Sequence, residues 1–466
     1  MSRTPRAPVA PPRPSRPELA AQVPPLIRLE REVEDEFRPQ MCARLAEKIA
    51  DFERAHAGQN LDCDKCRARM HSKGRRPCSF LTRFGKVDPR PATYRCDACK
   101  LSRRPLFDQL GVEAGRVSGS LARLLALLGV VVPYELAAQL VVLFFGIEVS
   151  AMTVWRAVQR LGEAADQYTE QQARFFADPQ HDAATAADAP LAVVLGVDGC
   201  ALGMQVRDKR RRRKANEMLK PLPPVEQGHF REVKTGVLLL PNERVETSPG
   251  RHSVVRRALV TCLGNADQIF DRLWAKLHEM AWLGRDTVVV IVGDGAEWIW
   301  KRATVFEKRC EILDFWHAVE KAWELARLVH GQGSALADAW ASRIAEDLRA
   351  GRVAEVIESL KNMLPTVEPA EQRTMFEALI RYYTDNRERM RYDEYLRLGY
   401  GIGSGAVESS HKQVVHARLR QAGMRWSEAG AQRLLALRVL LLNGEWDRLD
   451  RLTMRSFAAS GARRAA

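Results

Sequence analysis

LAVVLGVDGCALGMQV, residues 191–206, is an apolar, β-branched run that passes through Gly196-Val197-Asp198-Gly199 and then breaks into glycine-punctuated sequence. It predicts a buried strand and the start of a hairpin. A second run of the same kind, TVVVIVGD at 287–294, ends in Gly293-Asp294-Gly295. Both read as strands closed by an aspartate with glycine beside it, which sets a carboxylate at the rim of a sheet. Outward from this pair, REVKTGVLLL (231–240) fits another strand, 266–282 is helical, and Cys310-EILD is a short strand. From Trp316 to about Arg397 the pattern is almost wholly helical. The glycine-rich break from Gly399 then precedes a helix near Ser404 and a last helix over about 427–443. Strands alternating with helices predict an α/β fold, here with a large helical insertion and no internal repeat.

Two carboxylates on adjacent strands suit Mg²⁺, which prefers carboxylate oxygens and keeps waters for substrate phosphates. Two such ions about 4 Å apart can activate the attacking oxygen and stabilise the leaving oxygen of a phosphodiester. A third carboxylate usually completes such a site. Glu408, in Gly405-Ala-Val-Glu-Ser-Ser, is well placed for it, and Glu297, one turn beyond Asp294, is its rival. The plainer readings stand beside this one. Asp-Gly pairs are ordinary turn residues, and Glu408 with Lys412 is an ordinary i,i+4 helix pair.

Upstream, Cys63-x2-Cys66 and Cys96-x2-Cys99 form two CxxC pairs among only nine cysteines. Two close thiolate pairs are what a tetrahedral structural Zn²⁺ requires, although the interval between them is longer than in most such sites. Cys78 and His71 are spare candidates within that interval, and the surrounding lysines and arginines suit phosphate contact. Next, Tyr134-ELAAQLVVLFFG reads as a helix, Ile147-EVS as a turn, and Ser150-AMTVWRAVQRLG as a second, serine-capped helix. Leu136, Leu140, Val154 and Val158 could hold the two together. That spacing suits a helix-turn-helix, with Thr153, Arg156, Gln159 and Arg160 as candidate base or phosphate contacts. An ordinary helical hairpin with Arg156 and Arg160 in solvent has the same spacing. The run Arg207-DKRRRRK, with Arg210, Arg211, Arg212 and Arg213 at its centre, holds seven cations in eight residues. It is either a solvated loop or a grip on a phosphate backbone.

The 466 residues carry a formal net charge of +14, which favours a polyanionic partner. The most apolar stretch, Leu124 to Ile147, is interrupted by Pro133, Glu135 and Gln139, too soon for a membrane span. The proline- and arginine-rich N-terminus has no apolar core of a signal peptide. These features point to a cytoplasmic protein that binds double-stranded DNA, with no membrane partner and no structural disulfides.

The segments VDG around Asp198, GDGAEWIW from Gly293, DFWH at 314–317 and GSGAVESSHKQVVHARLRQAGMRW from Gly403 resemble those of bacterial insertion-sequence DDE transposases. The resemblance is to the Mutator-like group, and within it to the Kra-type insertion sequences. It covers about residues 60 to 445 and includes the N-terminal order CxxC, Arg83-Phe-Gly85, YRCDACK, Pro105-Leu106 and Leu110-Gly111. It implies an RNase H-like catalytic domain whose Asp, Asp and Glu are Asp198, Asp294 and Glu408, holding two Mg²⁺ (or Mn²⁺) ions. Asp314-x2-His317 matches a family signature, with His317 either contacting DNA or packed behind a helix cap made by Asp314. Arg425-Trp426 matches the family's ending, with Arg425 a phosphate contact or a salt-bridge partner and Lys412 another DNA-facing cation.

On this reading residues 1–26 are a disordered basic arm, 27–107 a helix plus a zinc-like module, and 108–175 the helix-turn-helix helices. A linker (176–190) leads to the first part of the catalytic core (191–315). The helical insertion (316–398), the catalytic glutamate helix with the C-terminal helix (399–445) and a tail (446–466) follow. The implied activity is metal-dependent hydrolysis and strand transfer at the terminal inverted repeats of an element, by a dimer assembled on DNA in the bacterial nucleoid. The rivals are a transposase-derived regulator that binds DNA without catalysis, and an RNase H-like nuclease that cleaves without joining.

Overall fold

The computed structural model describes residues 24–55, 61–112, 117–178, 186, 188–205, 229–248, 251–254 and 256–452. The basic arm up to residue 23 and the arginine run with Arg210, Arg211, Arg212 and Arg213 lie outside the described residues. The chain is mixed α/β and mostly helical. Its described residues divide into two compact units, one holding those up to Leu124 with Ala138–Val149, the other Leu125–Ala137 and 150–452. No helix among the described residues is long and apolar enough to cross a membrane.

The first unit opens with helix α1 (Pro25–Ala55). Strands β1 (Met70–Arg75), β4 (Ala92–Cys96) and β5 (Ser102–Arg103) form an antiparallel sheet in the order β1-β4-β5. Between β1 and β4 in sequence, β2 (Phe80–Thr82) and β3 (Gly85–Val87) pair as a hairpin, and α2 (Pro105–Leu110) follows β5. Leu45, Ile49 and Phe52 recur at helical spacing on α1 and pack with Phe80, Val87 and Phe107 into one apolar core. Toward the N-terminus of α1 the apolar residues Leu26, Leu29, Val33, Phe37 and Met41 are exposed.

Helices α3 (Gly119–Val131), α4 (Tyr134–Phe145) and α5 (Ala151–Ala177) lie where the sequence predicts helices. Ser150 caps α5 by accepting a hydrogen bond from the Thr153 N–H at 3.2 Å. The apolar contacts expected around the turn need correction. Leu136 is 42% exposed, whereas Val154 and Val158 are fully buried. They close on Gly129 of α3, where a Cβ would come within 2.7 Å of Val158. Gln159, a proposed DNA contact, is buried and accepts a hydrogen bond from Arg433 at 3.3 Å, so it faces inward.

The second unit is built on a five-stranded sheet in the order β10-β7-β6-β11-β12. Strand β6 (Ala192–Gly203) is central and pairs antiparallel with β7 (Phe230–Leu239), which pairs antiparallel with β10 (Arg257–Cys262). On its other edge β6 runs parallel to β11 (Val288–Gly293), and β11 runs parallel to β12 (Arg309–Leu313). A small hairpin of β8 (Arg244–Ser248) and β9 (Arg251–Val254) precedes β10. These last three strands were not anticipated, because short runs such as RALVTC fall below the length at which period-2 patterning is distinct.

Helix α6 (Ala266–Glu279) covers β7 and β10, and α7 (Glu297–Ala303) follows β11. After β12 come α8 (Phe315–His330), α9 (Ala335–Arg349), α10 (Val353–Met363), α11 (Ala370–Asn386) and α12 (Tyr392–Arg397). The chain returns to the sheet with α13 (Gly405–His411), a π-helical turn (Lys412–His416), the single turn α14 (Ala417–Leu419) and α15 (Glu428–Leu442). Past the boundary expected for a tail, Leu449 is fully buried, so the packed part extends beyond residue 445.

Candidate active site and cysteine cluster

Asp198 does not close its strand. It is interior to β6, in register with Thr235 of β7, and the strand continues to Gly203. What ends near it is the partner on the other edge, since β11 pairs with β6 only as far as Gly196 opposite Val292. Asp198 therefore stands where the parallel half of the sheet stops. Asp294 follows the last residue of β11, as the sequence predicted. Each aspartate makes a tight local turn bond, with Asp198 Oδ1 accepting from Gly199 N at 2.6 Å and Asp294 Oδ1 from Ala296 N at 3.0 Å. Gly295, with φ of +100°, carries the chain away from Asp294 in a conformation that favours glycine. The Tyr382 hydroxyl donates to the Asp294 carbonyl at 2.9 Å.

Glu408 reaches this region because α13 packs on β6. A Cβ at Gly196 would lie 3.3 Å from Val407, so the absence of a side chain two residues before Asp198 lets the helix bearing Glu408 settle there. The loop before α13 is fastened by Asp314, which is fully buried. Asp314 Oδ1 accepts from Trp316 N at 2.7 Å and His317 N at 3.3 Å, capping α8. Its Oδ2 accepts from Ser404 N at 2.8 Å, and the Ser404 hydroxyl lies 3.2 Å from Glu408 Oε1.

His317 lies between Asp314 and Glu408, with donor atoms within 4.8 Å of both. Its Nδ1 is 3.1 Å from Asp314 Oδ2. The Asp314 carboxylate beside it, helped by Asp294, raises the imidazole to about 9 despite partial burial. Burial raises the Asp198 carboxyl, and the nearby Asp294 adds to that rise while His317 opposes it. Burial pushes the Asp314 carboxyl up as well, but the His317 and Ser404 contacts outweigh it and hold it below its ordinary value. Behind Asp198, His411 stands with Nδ1 3.8 Å from Asp198 Oδ2, and burial lowers that imidazole to about 4.

The donor atoms of Asp314, His317 and Glu408 lie within 4.8 Å of one another, a group able to hold a metal ion. Asp198, Asp294 and Glu408 do not form so tight a group among the described residues, although Asp198, Asp294 and His317 feel one another's charge. Glu297, the rival third carboxylate, is 80% exposed and paired with Lys301 at 2.7 Å.

The sequence offered no signal for the π-helical turn after α13. Its freed carbonyls are taken by the buried Arg438, which donates to Val414 O at 2.6 Å and also to Gln413 O. Lys412 and Arg425 are exposed at this end of the chain, with the Arg425 guanidinium 5.5 Å from the Phe230 ring. Trp426 is core, its indole N–H donating to Leu419 O at 2.8 Å. Arg156 is exposed on α5, Arg160 is half-buried, and the Thr153 hydroxyl is 3.0 Å from that of Ser150.

In the first unit the Sγ atoms of Cys63, Cys66, Cys96 and Cys99 also lie within 4.8 Å of one another. The two CxxC pairs are built alike. Cys63 N donates to Ala68 O and Cys96 N to Leu101 O, both at 2.8 Å. Arg67 and Lys100, each just after the second cysteine of its pair, have φ of 60° and 58°. Two non-glycine residues in that conformation at equivalent places mark two matching knuckles. Hydrogen bonding with Cys99 pulls the Cys66 thiol down to about 7. Cys78 instead accepts from Arg104 at 3.4 Å, and His71 is 3.8 Å from Asp97, so neither spare candidate belongs to the cluster.

A model for a family described as an uncharacterised protein family, UPF0236, matches residues 247–455. No curated protein matches the chain. Among solved structures, the Drosophila P element transposase strand transfer complex is similar at 11% identity and a TM-score of 0.22, over 71% of this chain and 80% of that one.

Proposed function

We propose that this chain is a DNA transposase of the Mutator-like, Kra-type kind, whose Asp198, Asp294 and Glu408 serve metal-dependent hydrolysis and strand transfer at the ends of an insertion sequence. The observation that carries the reading is the placement of these residues around one sheet. Asp198 lies in β6 and Asp294 directly after its parallel neighbour β11, and a helix more than a hundred residues later is packed on β6 at Gly196 with its glutamate beside His317. A purely structural role gives no reason to collect three carboxylates where burial and mutual repulsion raise one of them. The strand order of the sheet supports an RNase H-like catalytic domain, with α8 to α12 as its helical insertion.

The carboxylate donor set suits Mg²⁺ or Mn²⁺, which Asp198, Asp294 and Glu408 would hold. Such ions, when bound, supply Lewis-acid activation of the attacking oxygen and stabilisation of the leaving oxygen. The chain's own part is to orient. Asp198 is held by Gly199 N, Asp294 by Ala296 N and Glu408 by Ser404. His317, a cation at neutral pH, faces the carboxylates and can meet a phosphate drawn into the site. Water is the nucleophile in the first step and the freed 3′-hydroxyl in the second, so no covalent enzyme–DNA intermediate is required.

The four-cysteine cluster fits a structural Zn²⁺, because four thiolates at tetrahedral spacing leave no open position for chemistry. With α4 and α5 as a helix-turn-helix, the N-terminal part would read the terminal inverted repeats through Thr153, Arg156 and Arg160. Lys412, His317 and Arg425 would contact DNA nearer the carboxylates. Two ends must be joined, so the working form is a dimer assembled on DNA.

The test is cleavage and joining of labelled DNA carrying the element's own ends, with Mg²⁺ or EDTA, by wild type and Asp294→Ala. Metal-dependent joining that the variant loses is expected. Binding without cleavage would identify a regulator, and cleavage without joining a nuclease.

A further inference from the structure

We propose that Asp314 is a positioning residue that sets Glu408 against Asp294, acting through Ser404. The inference rests on the catalytic reading above and goes further, because it assigns work to a residue outside the carboxylate trio. A helix cap uses one acceptor oxygen, and Oδ1 fills that role toward Trp316 N and His317 N. The second oxygen has a different job. It accepts from Ser404 N at 2.8 Å, four residues before Glu408, and the Ser404 hydroxyl reaches Glu408 Oε1 at 3.2 Å.

The backbone runs through the same point. Asp314 N donates to Gly293 O at 2.7 Å, the residue before Asp294, and Phe315 N donates to Ile402 O at 2.9 Å. Asp294 and Glu408 are thus joined by a short chain of bonds, Gly293 to Asp314 to Ser404 to Glu408. Helix α13 runs on through the π-helical turn and α14 to Leu419, and Glu408 lies in its first turn, so the bonds that Asp314 and Ser404 make at its start fasten the turn that carries Glu408. Asp314 is fully buried, with Oδ1 taken up by the cap of α8 and Oδ2 by Ser404 N, so its carboxylate ties these two elements together.

Asp314→Asn separates the two jobs. It keeps an acceptor for the cap, yet turns an amide N–H₂ toward Ser404 N and His317. Mn²⁺ binding to the zinc-supplemented full chain is measured by electron paramagnetic resonance of free Mn²⁺, beside single-turnover cleavage and a thermal melt. The expected result is Mn²⁺ binding weaker by roughly 10–100-fold, as for other outer-shell partners of metal ligands. The cleavage rate should fall while the DNA concentration for half-saturation stays unchanged. Asp314→Asn combined with Glu408→Gln should bind Mn²⁺ no more weakly than Glu408→Gln alone.

Ser404→Ala, which keeps the backbone N–H, provides the same comparison if Asp314→Asn does not fold. It should weaken Mn²⁺ binding less, and again not additively with Glu408→Gln. Wild-type Mn²⁺ binding in either folded variant, or full additivity in the double variants, overturns this proposal alone. A wild-type chain that binds no Mn²⁺ and is indifferent to Asp294→Ala overturns the catalytic reading and this proposal with it.

Discussion

At the scale of single residues, two glutamates that compete on paper are separated by what they touch. Glu297 pairs with Lys301 in solvent, and Glu408 is held by Ser404 near His317. Glu408→Gln should therefore lower strand cleavage by about a hundredfold or more, the scale of losing one group that stabilises developing charge, while Glu297→Gln leaves it unchanged. Parallel single-turnover assays on the same labelled ends decide this. His317 supports a pH prediction with a definite sign. Its folded pKa, about 9, lies above the ordinary histidine value near 6.5. The Asp314–His317 pair thus contributes its full stability below about pH 6.5 and loses it as pH rises through about 9. Melting temperature of the metal-free protein should fall across that window, and the fall should be absent in His317→Gln. The strand end before Asp294 and the helix bearing Glu408 were legible in the sequence because glycines and apolar residues frame them. Asp198 was legible as a residue but not as a place. Its strand runs on for five more residues, because β7 pairs with β6 well beyond the reach of β11, and pairing partners are not written in local sequence.

Elements carry the next two predictions. The matching knuckles at Cys63–Arg67 and Cys96–Lys100 should bind about one zinc per chain. Cys63→Ser should abolish that stoichiometry in metal analysis, and Cys78→Ser should preserve it, because Cys78 lies against the α1 core instead. CxxC spacing alone was enough to find this cluster, since each pair is local, although only the fold excluded His71 and Cys78. The π-helical turn is the opposite case. There Arg438, far along the chain, takes up Gln413 O and Val414 O and also donates to Val130 O at 2.6 Å. Arg438→Met leaves those buried carbonyls without donors and should cost about 3 kcal/mol, read by denaturant unfolding. No pattern at Lys412–His416 announces such a turn, and the tertiary hydrogen bonds it accepts are not written in local sequence. The strands β8 to β10 escaped for a related reason, being short and fixed by the partners they meet.

For the whole molecule the governing quantity is charge. A formal +14 on a chain proposed to hold DNA means that affinity should fall linearly on a log–log plot against salt. Arg156→Ala, on an exposed position of α5, should weaken binding alike for all sequences and reduce that slope by about 1 if it meets a phosphate. Filter binding over a salt series measures both. The mixed α/β character and the run of helices after Trp316 were legible because they rest on long periodic segments.

The buried arginines of the C-terminal segment have one more consequence. Arg418 donates to Gly129 O across 289 residues and Arg438 to Val130 O across 308. A growing polypeptide leaves the ribosome from its N-terminus and folds by units as it emerges. The cysteine cluster can close while translation is still under way, but Glu408 takes its place only after its helix has been made, and Arg438 only later still. A nascent chain can therefore fold its N-terminal unit before it owns a complete carboxylate set, and a message cut short upstream of residue 408 yields a product unable to complete the site.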